Sequence, residues 1–107
     1  MTTFDERERA FEANFSREQD MEFRIAARRN RLLGVWAADL MGLTAEETDA
    51  YAKAVVQADF EEAGDEDVIR KLLGDLTSAG VDMDDTRIRN ALSEKSIEAR
   101  RQLLELK

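Results

Sequence analysis

The sequence predicts an all-α protein, an antiparallel four-helix bundle with a mobile N-terminal arm, and three observations carry that reading. Proline is absent from the 107 residues, so no ring removes a backbone donor or kinks a helix. Apolar residues recur at spacings of three and four rather than two, which gathers them on one face of a helix and would scatter them over both faces of a strand. Gly42, Gly64 and Gly80 fall where successive apolar stripes run out, and the connections around them are short enough to make consecutive helices antiparallel.

The first bundle helix is expected from about Asp20 to Met41, with Phe23, Ala26, Ala27, Leu33, Trp36, Ala37, Leu40 and Met41 on its inner face and Gly42 as its stop. Trp36 reads as a core anchor rather than a ligand platform. Thr44 followed by Glu47 fits a capping box, in which hydroxyl and carboxylate each satisfy a backbone donor at the start of the second helix. Its stripe is Tyr51, Val55 and Ala58, with Ala52, Val56 and Phe60 on the flank, ending near Gly64. Asp65 is placed to cap a third helix whose inner face is Val68, Ile69, Leu72, Leu73 and Leu76, and whose first-turn acids Glu66 and Asp67 complement its dipole. Gly80 stops it. Asp84 caps the fourth, with Met83 positioned to staple onto Ile88 and with Ala91, Leu92, Ala99, Leu103 and Leu106 continuing the stripe.

Ahead of these helices lies a segment of different character. Residues 1–31 hold seven acids and seven arginines, which cancel, so the formal net charge of -8 falls on the remainder. Within the segment the charges are sorted: residues 23–31 carry four arginines and no acid. Such a segment can offer opposite signs to a partner at its two ends. Phe4, Phe11 and Phe15 are threaded among the charges at spacings of seven and four, which a helix would align on one edge. Burying all three would contribute on the order of 5 to 9 kcal/mol. Against that stands an ordering cost of about 1 kcal/mol or more per residue over some fifteen residues. The expectation is therefore an arm, residues 1–17, that is mobile when free and becomes helical on a partner offering a groove, joined to a bundle domain of residues 18–107. Arg24, Arg28 and Arg31, spaced by four and three, form a basic stripe that either makes a secondary contact, with an acidic partner surface or with nucleotide phosphates, or is a solvated face supported by the Asp20–Arg24 spacing.

The inventory also sets exclusions. Histidine and cysteine are both absent, which removes disulfides, thiol chemistry, the usual zinc ligands and the usual general base near neutral pH. No enzyme, no cofactor and no metal site is expected. The acidic run Asp59, Glu61, Glu62, Asp65, Glu66 and Asp67 lacks the ligand alternation and central glycine of an EF-hand and reads as a solvated face. A sequence pI near 4.6 argues against nucleic acid. No sequence signal supports nucleotide binding in the bundle. No apolar run reaches the length of a membrane span, and the charged N-terminus is unlike a secretory signal, so no membrane insertion is expected.

Two runs carry a family resemblance. Phe4-Asp5-Glu6-Arg7-Glu8-Arg9-Ala10-Phe11-Glu12 and Ala27-Arg28-Arg29-Asn30-Arg31-Leu32-Leu33-Gly34-Val35-Trp36-Ala37-Ala38-Asp39-Leu40-Met41-Gly42-Leu43 closely resemble the zeta inhibitor subunit of alphaproteobacterial F-type ATP synthases. The resemblance covers nearly the whole chain and is weaker in the acidic second half, where it rests on length and helix layout. It implies an inhibitor of ATP hydrolysis whose N-terminal arm inserts as a helix into the catalytic interface between alpha and beta subunits near the gamma shaft, with synthesis affected much less. It implies partner contacts at Phe4, Arg7, Arg9, Phe11 and Phe15, and a cytoplasmic location, peripheral to the inner membrane through the synthase. The alternative is a helical adaptor whose arm binds an unrelated partner.

Overall fold

A computed structural model of the chain describes the backbone of residues 2–61 and 64–105 and the side chains of residues 20–59 and 64–105. Four helices follow one another: α1 (Thr2–Met41), α2 (Ala45–Glu61), α3 (Asp65–Ser78) and α4 (Asp85–Glu105). No strand occurs among the described residues.

α1 is 40 residues long, about 60 Å at 1.5 Å per residue. It starts well before Asp20, because neither proline nor glycine stands between Thr2 and Gly34 and a helix once propagating meets no residue that stops it. Its end is built by Gly42, whose φ of 72° lets Leu43 N–H reach back to the Ala38 carbonyl at 3.0 Å. Gly80, at φ 81°, closes α3 the same way, with Val81 N–H donating to the Leu76 carbonyl at 2.9 Å.

The capping box forms as the sequence predicts: Glu47 N–H donates to Thr44 Oγ1 at 3.2 Å and Thr44 N–H to Glu47 Oε1 at 2.9 Å. The backbone bond from Thr44 is the main reason the Glu47 carboxyl is held below its ordinary pKa. Asp84 caps α4, its Oδ1 accepting from Arg87 N–H at 2.8 Å. Asp65 departs from expectation. Gly64 occupies the cap position with no side-chain bond, and Asp65 is the first helical residue, its carboxylate drawn instead to Arg29 at 3.0 Å.

The helices alternate in direction. Gly34 lies against Ala52 and Arg29 reaches Asp59, so α1 and α2 are antiparallel. Lys95 lies beside Trp36 and Asp39 while Leu103 lies beside Phe23 and Ala27, so α1 and α4 are too. α1 packs against α2, α3 and α4, whereas α2 and α4 are not neighbours among the described residues. The shared core comprises Leu33 and Ala37 of α1, Val55 of α2, Val68, Ile69, Leu72 and Leu76 of α3, and Ile88 and Ala91 of α4. Full burial of each of the larger side chains contributes about 1.5 to 3 kcal/mol. Trp36, Tyr51, Leu73, Met83 and Leu92 pack against that core from partly exposed positions.

α1 corrects the predicted inner face. Phe23 and Leu40 are 51% and 42% exposed, while Ile25, Asn30 and Ala38 are buried. Phe23 stands eleven residues, about 16 Å, before Gly34, at the level where α2 runs out; Leu40 occupies the last turn of α1. Ile25 stands nine residues before Gly34, half a turn round the helix axis, and is covered because α4 packs on the side of α1 opposite α2. A single stripe could not describe a helix buried on two opposite flanks. Phe60 and Leu106 lie outside the described side chains.

Candidate docking site

With α2 on one flank of α1, α4 on the opposite flank and α3 between them, one side of α1 remains open. Positions spaced by four and three return to nearly the same side of a helix, and Arg24, Arg28 and Arg31 line this open side. A groove of about 990 Å³ runs along it between α2 and α4. Its floor is apolar, formed by Phe23, Ala27 and Val35 of α1, Val56 of α2 and Leu103 of α4, and Lys53 of α2 joins the arginines on its rim.

The rim cations are held by unequal partners. Arg24 Nε lies 3.1 Å from Asp20 one turn earlier. Arg31 Nη2 and Lys53 Nζ share the two oxygens of Asp49 at 2.9 and 3.1 Å. Those two bonds, that of Arg31 first, hold the Asp49 carboxyl below its usual range. One carboxylate thus serves two cations. Arg28 Nη1 donates to the neutral amide oxygen of Gln102 at 3.1 Å, which leaves its charge uncompensated by that contact. No acid is among the described residues lining the groove. The structure therefore brings the predicted arginine stripe together and adds Lys53, which no local pattern could have revealed because it belongs to another helix.

Arg29, from the same run of arginines, points the other way. Its side chain is 11% exposed, with Nη1 at 3.0 Å from Asp65 and Nη2 at 3.8 Å from Asp59, and Nε donating to Asn30 Oδ1 at 3.1 Å. It ties α1 to α2 and α3. Asn30 is 1% exposed, and its Nδ2 has no hydrogen-bond partner among the described residues, which nothing in the structure explains. The described acids of the run are largely paired, although Asp65 and Glu66 stay more than half exposed. Asp59 and Asp65 serve Arg29, and Glu66 binds Arg89 through both oxygens at 2.8 and 2.7 Å, which holds its carboxyl below the ordinary range. Glu61 and Glu62 lie outside the described side chains, as do the arm residues Phe4, Arg7, Arg9, Phe11 and Phe15, of which only the helical backbone is described.

On the far side of the bundle Tyr51 donates from its hydroxyl to Asp75 Oδ2 at 2.7 Å, and Lys71 Nζ approaches the same oxygen at 3.1 Å. Lys71 also lies 5.4 Å from the Tyr51 ring centroid. Burial first, and then the Asp75 carboxylate, push the Tyr51 hydroxyl above its ordinary pKa. This network pins α2 to α3 and is remote from the groove.

A small bundle with a charged, apolar-floored groove and a long helix running out through its N-terminal segment defines a helical interaction protein. Residues 1–102 match the family model of the ATPase inhibitor subunit zeta, and the chain belongs to that family. A structure solved by solution NMR is 42% identical, with a TM-score of 0.71 over 81% of this chain and 99% of that one. No curated protein matches.

Proposed function

We propose that this protein inhibits ATP hydrolysis by the F-type ATP synthase through residues 1–17, which enter the catalytic interface between alpha and beta subunits near the gamma shaft as a helix. Membership of the zeta inhibitor family supports the inhibitory role. The observation that carries the mechanism is the continuity of α1 from Thr2 to Met41. A helix in the interface is then joined to the bundle without a hinge residue, and acts as a wedge that the bundle braces. The domain closure needed for the next hydrolytic step is blocked, and rotation stalls. Phe4, Phe11 and Phe15 supply the apolar edge of the wedge, and Arg7 and Arg9 its charged contacts. No helix among the described residues is long and apolar enough to cross a membrane, which fits a protein held at the membrane surface only through the synthase, in the cytoplasm. Added to the purified synthase of its own source, the protein is expected to suppress ATP hydrolysis with one-to-one stoichiometry. The Phe11→Ser, Phe15→Ser double variant is expected to lose at least tenfold in potency, since 1.4 kcal/mol suffices for that. Unchanged hydrolysis at saturating protein would overturn the proposal.

A further inference from the structure

We infer that the groove between α2 and α4 is a second docking surface, which takes an acidic amphipathic helix of the same enzyme while the arm occupies the catalytic interface; this rests on the inhibitory reading above. Shape comes first. From Phe23 to Val35 the floor spans twelve residues of α1, about 18 Å, and α2 and α4 flank it without touching each other. A helix of three or more turns laid in that gap would pack on three helices at once and complete the open side of α1, as α3 completes the opposite one. Extended chain would leave its own backbone donors unpaired against an apolar floor, whereas a helix satisfies them internally.

Charge selects the occupant. The protein carries a formal net charge of -8, so an acidic partner is repelled by most of its surface. The groove reverses that sign locally, with Arg24, Arg28, Arg31 and Lys53 on the rim and no acid among its described lining residues. Among the described residues Arg28 is bonded only to the neutral Gln102, and Arg31 and Lys53 share one carboxylate. A helix with apolar residues at every third and fourth position and aspartates or glutamates on its flanks would place its carboxylates against these cations. Such complementarity fixes orientation and accelerates encounter. The groove also lies on the same helix as the arm, beginning at Phe23, six residues beyond residue 17 and so about 9 Å along the axis. Engagement of one surface therefore raises the effective concentration of the other.

The test uses the full chain and the purified synthase. Because the protein contains no cysteine, a Val35→Cys variant carries a single thiol on the groove floor for a photoactivated crosslinker. The expected product joins the groove to a helical, Asp- and Glu-rich segment of the synthase. In parallel, Arg28→Glu, Lys53→Glu is expected to raise the half-inhibitory concentration about tenfold and to flatten its salt dependence, whereas Arg28→Lys, Lys53→Arg restores both. Melting midpoints of the charge variants establish that they are folded. A crosslink to a basic or non-helical segment, no crosslink, or a folded Arg28→Glu, Lys53→Glu variant as potent as the parent would each overturn the groove while leaving arm-based inhibition standing. Failure of the parent protein to inhibit would overturn both.

Discussion

Gly34 and Ala52 meet so closely that a Cβ added to Gly34 would stand 2.6 Å from the Ala52 Cα and 3.2 Å from its Cβ. The nearer atom is backbone, so no rotamer change relieves the clash, and α1 and α2 would have to separate. The glycine in the Leu32-Leu33-Gly34-Val35-Trp36 run is therefore a packing device that sets the closest approach of the two helices.

Gly34→Ala is expected to destabilise the protein by about 1 to 3 kcal/mol, as overpacking does, although alanine is the better helix former by about 1 kcal/mol. Ala52→Gly should not rescue it, because the obstructing Cα remains. Gly74, inside α3, has nothing within 4 Å of an added Cβ, so Gly74→Ala should stabilise by up to about 1 kcal/mol. Thermal melting of the three variants checks this; equal shifts in the two single glycine variants would contradict it.

Arg29 and Arg31 differ by two positions and should differ widely in consequence. Arg29→Ala leaves Asp59 and Asp65 without their shared cation and Asn30 Oδ1 without its donor, an expected loss of about 2 to 4 kcal/mol. Arg31 is half-exposed and paired at the surface, so Arg31→Ala should cost less than about 1 kcal/mol. Denaturant unfolding of both variants decides the matter.

Stability should be flat across neutral pH and fall at both extremes. Glu47, Asp49 and Glu66 have lowered pKa values, so their contribution is present above about pH 4 and is lost as pH falls through the folded values. Tyr51 has a raised pKa, so its contribution is complete below about pH 10 and is lost as pH rises beyond it. Tyr51 is the sole tyrosine, which lets ultraviolet absorbance follow its ionisation directly. Tyr51→Phe is expected to cost about 1 kcal/mol at neutral pH and to flatten the alkaline limb. With no histidine to titrate, melting midpoints between pH 6 and 8 should agree within a degree or two, and a step in that window would count against this account.

Division of labour between arm and bundle has its own signature. Removing residues 1–17 is expected to abolish inhibition and leave the melting midpoint within a few degrees, because the α1 residues described in the shared core, Leu33 and Ala37, stand well beyond the arm. Helical as the arm is in the structure, an isolated helical end of this length is marginal in water, so in the free protein its backbone amides are expected to fray, with order parameters below about 0.6 against about 0.85 in the bundle. A truncated protein that melts far below the parent would make the arm part of the folding unit.

Residues whose role is local were legible from the chain. The Thr44–Glu47 box, the Asp84 cap and the Gly42 and Gly80 stops each depend on atoms within a few residues, and each formed as the spacing implied. The α3 stripe was legible as well, because that helix is covered along one continuous face. α1 was legible only in part. Phe23 falls in the same periodic pattern as Leu33, yet it is half-exposed beside the groove, and periodicity carries no information about which sides of a helix its neighbours cover.

What the sequence determined alone was helix, direction and charge: missing proline, stripes at three and four, short glycine-punctuated connections, and an arginine stripe at 24, 28 and 31. The tertiary structure alone decided which sides of α1 are covered. The close approach at Gly34 and Ala52 puts α2 on one flank, α4 buries Ile25 on the other, and the arginine stripe is left on the open side with Lys53 brought to it from α2. Hydrophobic periodicity specifies that a face seeks burial; the neighbour that supplies it, and the groove left between two neighbours that never meet, depend on contacts between residues far apart in the chain.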